Sequence, residues 1–160
     1  MLGDMIRYLK ENRRVLSVEE MTRLMYENIP SPADLSEFIK VRPESYSREP
    51  VASSKFHELL VMTWAPGQAS PIHNHKGSSC VFRVISGEGR ETVFELKDGI
   101  PVPKHVRTIA RGDLCVSYEE DVHKISSTNK TLVTMHFYSP PLRMETFPPV
   151  ADSFEQGLGI

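Results

Sequence analysis

From Tyr46 onward, the chain is a succession of short apolar segments separated by turn signals. The segments are about six to ten residues long and rich in Val, Ile, Thr, Phe and Tyr, which is typical of β-strands. The turn signals are Pro66–Gly67, Gly87–Gly89, Asp98–Gly99, Arg111–Asp113 and Thr128–Asn129. No helical period interrupts these segments, and none leaves room for the crossover helices that parallel strands require. The pattern therefore predicts an antiparallel sandwich or barrel of about eight strands.

The N-terminal third carries helix signals instead. Ser17 and Glu20 have the spacing of a capping box, and apolar residues then recur at helical spacing until Pro30. A second start signal, a Ser followed by Pro and an acid, stands at residues 31–34. The expected helices cover roughly residues 4–15, 18–29 and 32–39. We expect them to pack against the outside of the β-structure.

Length and charge limit the possible function classes. The chain has 160 residues, which fits one domain, since single domains usually have about 100 to 200 residues. We predict one domain over 1–160, with a helical segment over 1–42 and a β-barrel over 43–160. The 19 basic and 21 acidic residues give a net charge of -2. Without a run of like charges, neither nucleic acid nor an anionic lipid surface is an expected partner.

The expected location is the cytoplasm, and the expected state is a monomer. Charged residues interrupt the first residues of the chain, where a secretory signal needs an apolar core. No apolar stretch reaches the about 18 residues that a membrane span requires, so we expect no membrane partner. Two cysteines are too few for a disulfide framework, which agrees with a reducing compartment.

Three histidines are the candidate metal ligands. His73 and His75 are two residues apart, so on a strand both imidazoles lie on one face, about 6.5 to 7 Å apart at the backbone. Two such rings can converge on one ion. By itself, this pair is a weak signal, and two polar side chains on a solvated strand face are the more common case. A third histidine, His123, stands eleven residues after Gly112 in the predicted β-structure.

The spacing of glycines and histidines resembles that of the cupin superfamily. The matching residues are Gly67, His73, His75, Gly87, Gly112 and His123. Cys80 stands where cupins usually have a ligating Glu, and Tyr118 and Glu120 replace the Pro and Gly of their second motif. The resemblance implies a cupin-type antiparallel β-barrel, a jelly roll, with a metal set of three neutral histidines and no carboxylate.

The stretch over residues 46–141 resembles the thiol dioxygenases, and the cysteine dioxygenases in particular. The matching elements are, in order, Tyr46 and Arg48, His73 and His75, Cys80, His123, and the sequence MHFYSPP at residues 135–141. The resemblance implies Fe(II) as the cofactor, L-cysteine and O2 as substrates, and cysteine sulfinic acid as the product. Imidazoles suit ferrous iron, and an ion without a carboxylate ligand keeps its full charge and favours a thiolate.

The same resemblance implies roles for residues around the metal. Arg48 binds the substrate carboxylate, Tyr46 lines the pocket, and His136 and Tyr138 point into the barrel beside the iron. Strand alternation alone would put the polar face of residues 132–138 in water. The resemblance also implies a thioether between Cys80 and Tyr138 and a cis peptide bond at Ser139-Pro140.

Other interpretations stay open at this point. Arg143 is a second cation that could reach the substrate, which keeps a 3-mercaptopropionate dioxygenase possible. A non-catalytic metal-binding cupin, acting as a sensor, would not need the Arg, His and Tyr set. Cys115 is interpreted as a core residue, and His57 and His105 as ordinary polar residues.

Overall fold

Ten β-strands follow two helices in residues 2–150, the part of the chain that the computed structural model describes. The helices are α1 (Leu2–Glu11) and α2 (Val18–Glu27). The strands are β1 (Ser47–Ser53), β2 (Glu58–Trp64), β3 (Ile72–Asn74), β4 (Ser79–Ser86), β5 (Glu88–Lys97), β6 (Ile100–Ala110), β7 (Leu114–Ser117), β8 (Val122–Ser127), β9 (Leu132–Ser139) and β10 (Glu145–Phe147). Each predicted turn lies at a junction between consecutive strands.

The strands form two five-stranded antiparallel sheets. One has the order β1-β2-β9-β4-β7, and the other has the order β10-β3-β8-β5-β6. This architecture confirms the predicted antiparallel β-fold with helices outside. The predicted domain of residues 1–160 stays a prediction, and residues 1 and 151–160 of it lie outside the described residues. Among the described residues, no helix combines the length and the apolar character needed to span a lipid bilayer.

The helix predictions are confirmed in two of three places. Helix α2 starts at the predicted capping box, in which Glu20 N donates to Ser17 Oγ over 3.2 Å and Ser17 N donates to Glu20 Oε2 over 2.9 Å. Helix α1 spans residues 2–11 rather than 4–15. The predicted helix over 32–39 is wrong: residues 32–38 form successive turns with i to i+3 hydrogen bonds. So short a segment is marginal as a helix by itself.

Two apolar clusters lie on opposite faces of the first sheet. The outer cluster joins helix residues such as Met5, Met21 and Met25 to strand residues that include Met135 and Phe137. The inner cluster lies between the two sheets and contains strand residues of both, among them Cys80, Phe82, Ile125 and Tyr138. Every residue of β9 is therefore buried. Full burial of one large apolar side chain stabilises the fold by about 1.5–3 kcal/mol.

Gly87 forms the tight connection between β4 of the first sheet and β5 of the second. Its φ is +80°, a left-handed conformation that favours glycine. A Cβ at this position would lie 2.0 Å from the carbonyl oxygen of Thr131. The turn and the close backbone approach both require glycine, and together they bring Cys80 on β4 and Glu91 on β5 to the same barrel interior.

Candidate metal centre

The three predicted histidines lie together inside the barrel. His73 on β3 is paired in register with His123 on β8, and His75 follows directly after β3. Their ligand nitrogens all lie within 4.8 Å of one another. The ring centroids are 5.3 Å apart for His73 and His75, 4.6 Å for His73 and His123, and 4.9 Å for His75 and His123. The fold therefore brings one ring nitrogen of each histidine close enough together for the three to bind a single ion.

Hydrogen bonds at Nδ1 leave the Nε2 atoms of two of these rings free for a ligand. The Nδ1 of His73 donates to the Pro71 carbonyl over 2.8 Å, and the Nδ1 of His123 donates to Glu91 Oε2 over 3.0 Å. The Nε2 atoms of His75 and His123 are 3.2 Å apart. Two nitrogens bound to one ion at about 2.1 Å and at right angles lie about 3 Å apart. The donor set and its spacing fit a single metal ion.

Burial keeps the rings of His73 and His75 in the neutral form that binds metals. Loss of hydration, together with the neighbouring His123, lowers the pKa of His73 to about 3. The pKa of His75 is also lowered to about 3 by burial and by His123, although the backbone of Tyr118 opposes this shift. Within the described residues, the buried Nδ1 of His75 has no hydrogen-bond partner of ordinary geometry. At neutral pH these two rings present lone pairs rather than charges.

Glu91 is a buried acid beside this cluster that the sequence analysis missed. Its two carboxylate oxygens bind different partners, Oε2 with His123 Nδ1 at 3.0 Å and Oε1 with Arg107 Nε at 2.7 Å. Burial alone would raise the pKa of Glu91, but the hydrogen bond with His123 and the positive charge of Arg107 act against burial, and the pKa is lowered. The only signal in the sequence was an acid at the start of an apolar strand segment.

Cys80, His136 and Tyr138 form a second polar group on the same inner surface. Cys80 on β4 is the cross-strand partner of Tyr138 on β9. The Sγ of Cys80 lies 3.8 Å from the Nδ1 of His136, and this nitrogen lies 3.2 Å from the Tyr138 hydroxyl. The rings of His75 and Tyr138 are 5.8 Å apart, so the two groups adjoin. The inward orientation of His136 and Tyr138 agrees with the resemblance and not with simple strand alternation.

The protonation states of this second group follow from its complete burial. Burial raises the pKa of Tyr138 well above its usual value, and it lowers the pKa of His136 well below its usual value. A neutral imidazole accepts at one nitrogen and donates at the other. His136 is hydrogen-bonded at both nitrogens, Nδ1 with the Tyr138 hydroxyl over 3.2 Å and Nε2 with Thr134 Oγ1 over 2.9 Å. Thr134 Oγ1 also accepts a bond from Trp64 Nε1 over 3.0 Å, which orients the group.

Of the predicted substrate residues, Arg48 lies on β1, Tyr46 directly precedes β1, and Arg143 lies beyond β9. Arg48 on β1 is half-buried and has no hydrogen bond or ion pair within residues 2–150. After burial, the positive charge of Arg48 is the next contribution that lowers the pKa of His136. Tyr46 stacks on Trp64 with a centroid distance of 4.3 Å. Arg143 is exposed, and no hydrogen bond or ion pair among the described residues links it to the site.

The remaining singled-out residues divide between core and surface. Cys115 is buried, as predicted, and burial raises the pKa of its thiol to about 12. His105 is exposed. His57 is not an ordinary surface residue: it is buried, and its Nδ1 and Nε2 lie 3.2 Å from Ser139 Oγ and 3.0 Å from the Asn12 carbonyl. The Ser139-Pro140 peptide bond is cis, as the resemblance implied.

In comparisons of sequence, the matching family profile and the similar curated proteins carry the same description. The family profile described as Cysteine dioxygenase type I matches residues 2–147. The protein named Cysteine dioxygenase type 1 of Rattus norvegicus is 29% identical over 151 residues, which covers 88% of this chain and 74% of the rat protein.

Solved structures show the same fold. The TT1209 protein of Thermus thermophilus superposes with a TM-score of 0.58 at 22% identity, over 67% of this chain and 94% of its own. A conserved protein with a double-stranded β-helix domain from Klebsiella pneumoniae superposes with a TM-score of 0.56 at 19% identity, over 72% of this chain and 95% of its own. At these identities the likeness concerns the fold, which is the double-stranded β-helix of cupins.

Proposed function

Since this chain belongs to the cysteine dioxygenase type I family, we propose that it is an Fe(II)-dependent enzyme that converts L-cysteine and O2 into cysteine sulfinic acid. The observation that carries the proposal is the buried cluster of three imidazoles, His73, His75 and His123, beside the ring of Tyr138. In the described part of the chain this cluster contains no carboxylate ligand. Both atoms of O2 enter the product on the substrate sulfur.

The three histidines would hold the ion through their Nε2 atoms. The hydrogen bonds of His73 and His123 at Nδ1 orient these nitrogens inward. Bound ferrous iron supplies a Lewis acid for the substrate thiol and the redox chemistry with O2. Three neutral ligands leave the positive charge uncompensated, which favours a substrate that binds as a thiolate.

Arg48 would bind the carboxylate of the substrate. Its guanidinium has five donors in a fork that matches a carboxylate, and no described residue occupies them. The partial burial of Arg48 strengthens this pairing relative to an exposed ion pair. The resemblance to the cysteine dioxygenases implies an Arg at the position of Arg48. We therefore propose L-cysteine rather than 3-mercaptopropionate as the substrate.

Tyr138 and His136 would hold and orient a proton next to the substrate. The raised pKa of Tyr138 keeps its hydroxyl protonated at neutral pH, so it can act as a hydrogen-bond donor. The Nδ1 of His136 lies 3.2 Å from this hydroxyl, and its Nε2 is held by Thr134. The stacking of Phe82 on His136, with a centroid distance of 4.7 Å, limits rotation of the imidazole and excludes water.

The test is reconstitution with Fe(II) in the absence of O2, followed by O2-uptake measurements with L-cysteine and with 3-mercaptopropionate. We expect one O2 consumed per L-cysteine and cysteine sulfinic acid as the product by mass spectrometry. Preferred oxidation of 3-mercaptopropionate would replace the substrate but keep the reaction. Metal binding without O2 consumption in the presence of either thiol would favour the non-catalytic cupin and refute the enzyme proposal.

A further inference from the structure

The contacts of Glu91 point to a role in orienting a metal ligand rather than in binding the metal itself. We propose that Glu91, held by Arg107, fixes His123 in the tautomer whose Nε2 can bind the metal, and that the pair thereby sets the metal affinity of the site. Both are positioning residues, since they act through His123. The inference rests on the proposed function only in taking His123 as a metal ligand.

The position of Glu91 suits this role. Its side chain is 4% exposed, and His123 is similarly buried at 3%. A buried carboxylate requires partners for its charge, and the two described partners of Glu91 are His123 and Arg107, one on each oxygen. The contacts span three strands, because Glu91 lies on β5, His123 on β8 and Arg107 on β6. In the sheet register, Glu91 is paired with Ile125 on β8 and with Arg107 on β6, so the acid lies between these two strands.

The carboxylate can only accept hydrogen bonds, which determines where the proton of His123 resides. Facing Glu91 Oε2, the Nδ1 of a neutral His123 must carry the hydrogen, and the Nε2 lone pair then points toward His75. The opposite tautomer would direct two lone pairs at each other across 3.0 Å and would put a hydrogen on the metal-facing nitrogen. Such outer partners commonly orient a histidine ligand and raise its basicity.

Arg107 makes the substitution Glu91→Gln informative. An arginine only donates, so in this variant the amide oxygen turns toward Arg107 and the NH2 group turns toward His123. The Nδ1 of His123 must then accept, and its proton moves to Nε2. Removing Arg107 as well frees the amide to turn, so that its oxygen can accept from His123 again. The double variant should therefore restore the hydrogen to Nδ1 of His123 and regain Fe(II) affinity that Glu91→Gln loses.

The experiment compares the parent protein with Glu91→Gln, Arg107→Met and the double variant. Glu95→Gln is the matched control, because Glu95 lies on the same strand but is exposed and paired with Lys97. Nitrogen-15 NMR of the metal-free proteins reports which ring nitrogen of His123 carries the hydrogen. Anaerobic calorimetric titration with Fe(II) alone gives the affinity, and far-UV circular dichroism checks the fold.

We expect Glu91→Gln to move the hydrogen of His123 to Nε2 and to weaken Fe(II) binding about 10- to 100-fold. The double variant should bind Fe(II) more tightly than Glu91→Gln, and Glu95→Gln should match the parent. A double variant that binds no better than Glu91→Gln would overturn the role of Arg107. Finding the hydrogen on Nε2 in the parent would overturn the whole inference, even if no variant of Glu91 folds.

Failure of the proposed function has a different signature. Neither measurement uses a thiol or O2, so an unreactive protein that shows the expected tautomer and affinity pattern would refute the dioxygenase proposal alone. A parent protein that binds no Fe(II) would refute the metal site, whereas the tautomer measurement would still test the hydrogen bond between Glu91 and His123.

Discussion

Replacement of Arg48 by glutamine tests how the substrate is recognised. Gln keeps a side chain that can donate hydrogen bonds but removes the charge and the fork of the guanidinium. Arg48 is half-buried and has no competing partner within residues 2–150, so no internal ion pair is lost together with substrate binding. A hydrogen bond to a charged group contributes about 1.5–3 kcal/mol, and partial exposure favours the lower end, about 1.5–2 kcal/mol. The KM for L-cysteine should rise about 10- to 30-fold, since about 1.4 kcal/mol corresponds to a factor of ten.

The assay is initial-rate O2 uptake with L-cysteine and with cysteamine, which has the thiol and the amine but no carboxylate. Cysteamine should be a poor substrate of the parent, and Arg48→Gln should leave its kinetics unchanged. Arg90→Gln, at a half-buried arginine on β5 in the other sheet, is the control and should match the parent. An equal loss with both substrates would show that Arg48 supports the site structurally. An unchanged KM for L-cysteine would refute the carboxylate contact.

Three further outcomes follow from the same structure. Turnover with L-cysteine and O2 should join Cys80 to Tyr138 by a thioether, with two hydrogens lost to O2 and an intact mass lower by about 2 Da; a Cys80 thiol that stays fully alkylatable would contradict this. Phe137→Ala should lower the free energy of unfolding in urea by about 3–5 kcal/mol because the ring is fully buried, whereas exposed Tyr26→Ala should change it by less than about 0.5 kcal/mol. Burial lowers the pKa of His57 in the folded state, so the unfolded chain takes up the proton first and stability falls as the pH drops through about 6.5. His57→Gln should lose less stability than the parent between about pH 7.5 and 5.5, and an identical loss would disprove the assignment.

The local features of this chain could be predicted from its sequence because short-range chemistry decides them. The capping box at Ser17 and Glu20 needs only neighbouring backbone groups, and the strand junctions follow from turn residues such as Gly87. The three histidines could be selected because their spacing to nearby glycines resembles that of the cupins. That spacing could not show that the rings converge, since His73 and His123 are fifty residues apart in the sequence.

The tertiary structure decided the features that depend on what covers each surface. Alternation along β9 would have left His136 and Tyr138 in water, but the helices cover the face with Met135 and Phe137, and the second sheet covers the other. Packing likewise buried His57. Glu91 became part of the site only when β5, β6 and β8 came together, because a single acid in a strand has no local signal for its partners. Local sequence determines which elements form, whereas long-range contacts determine which side chains lose water and must find a partner.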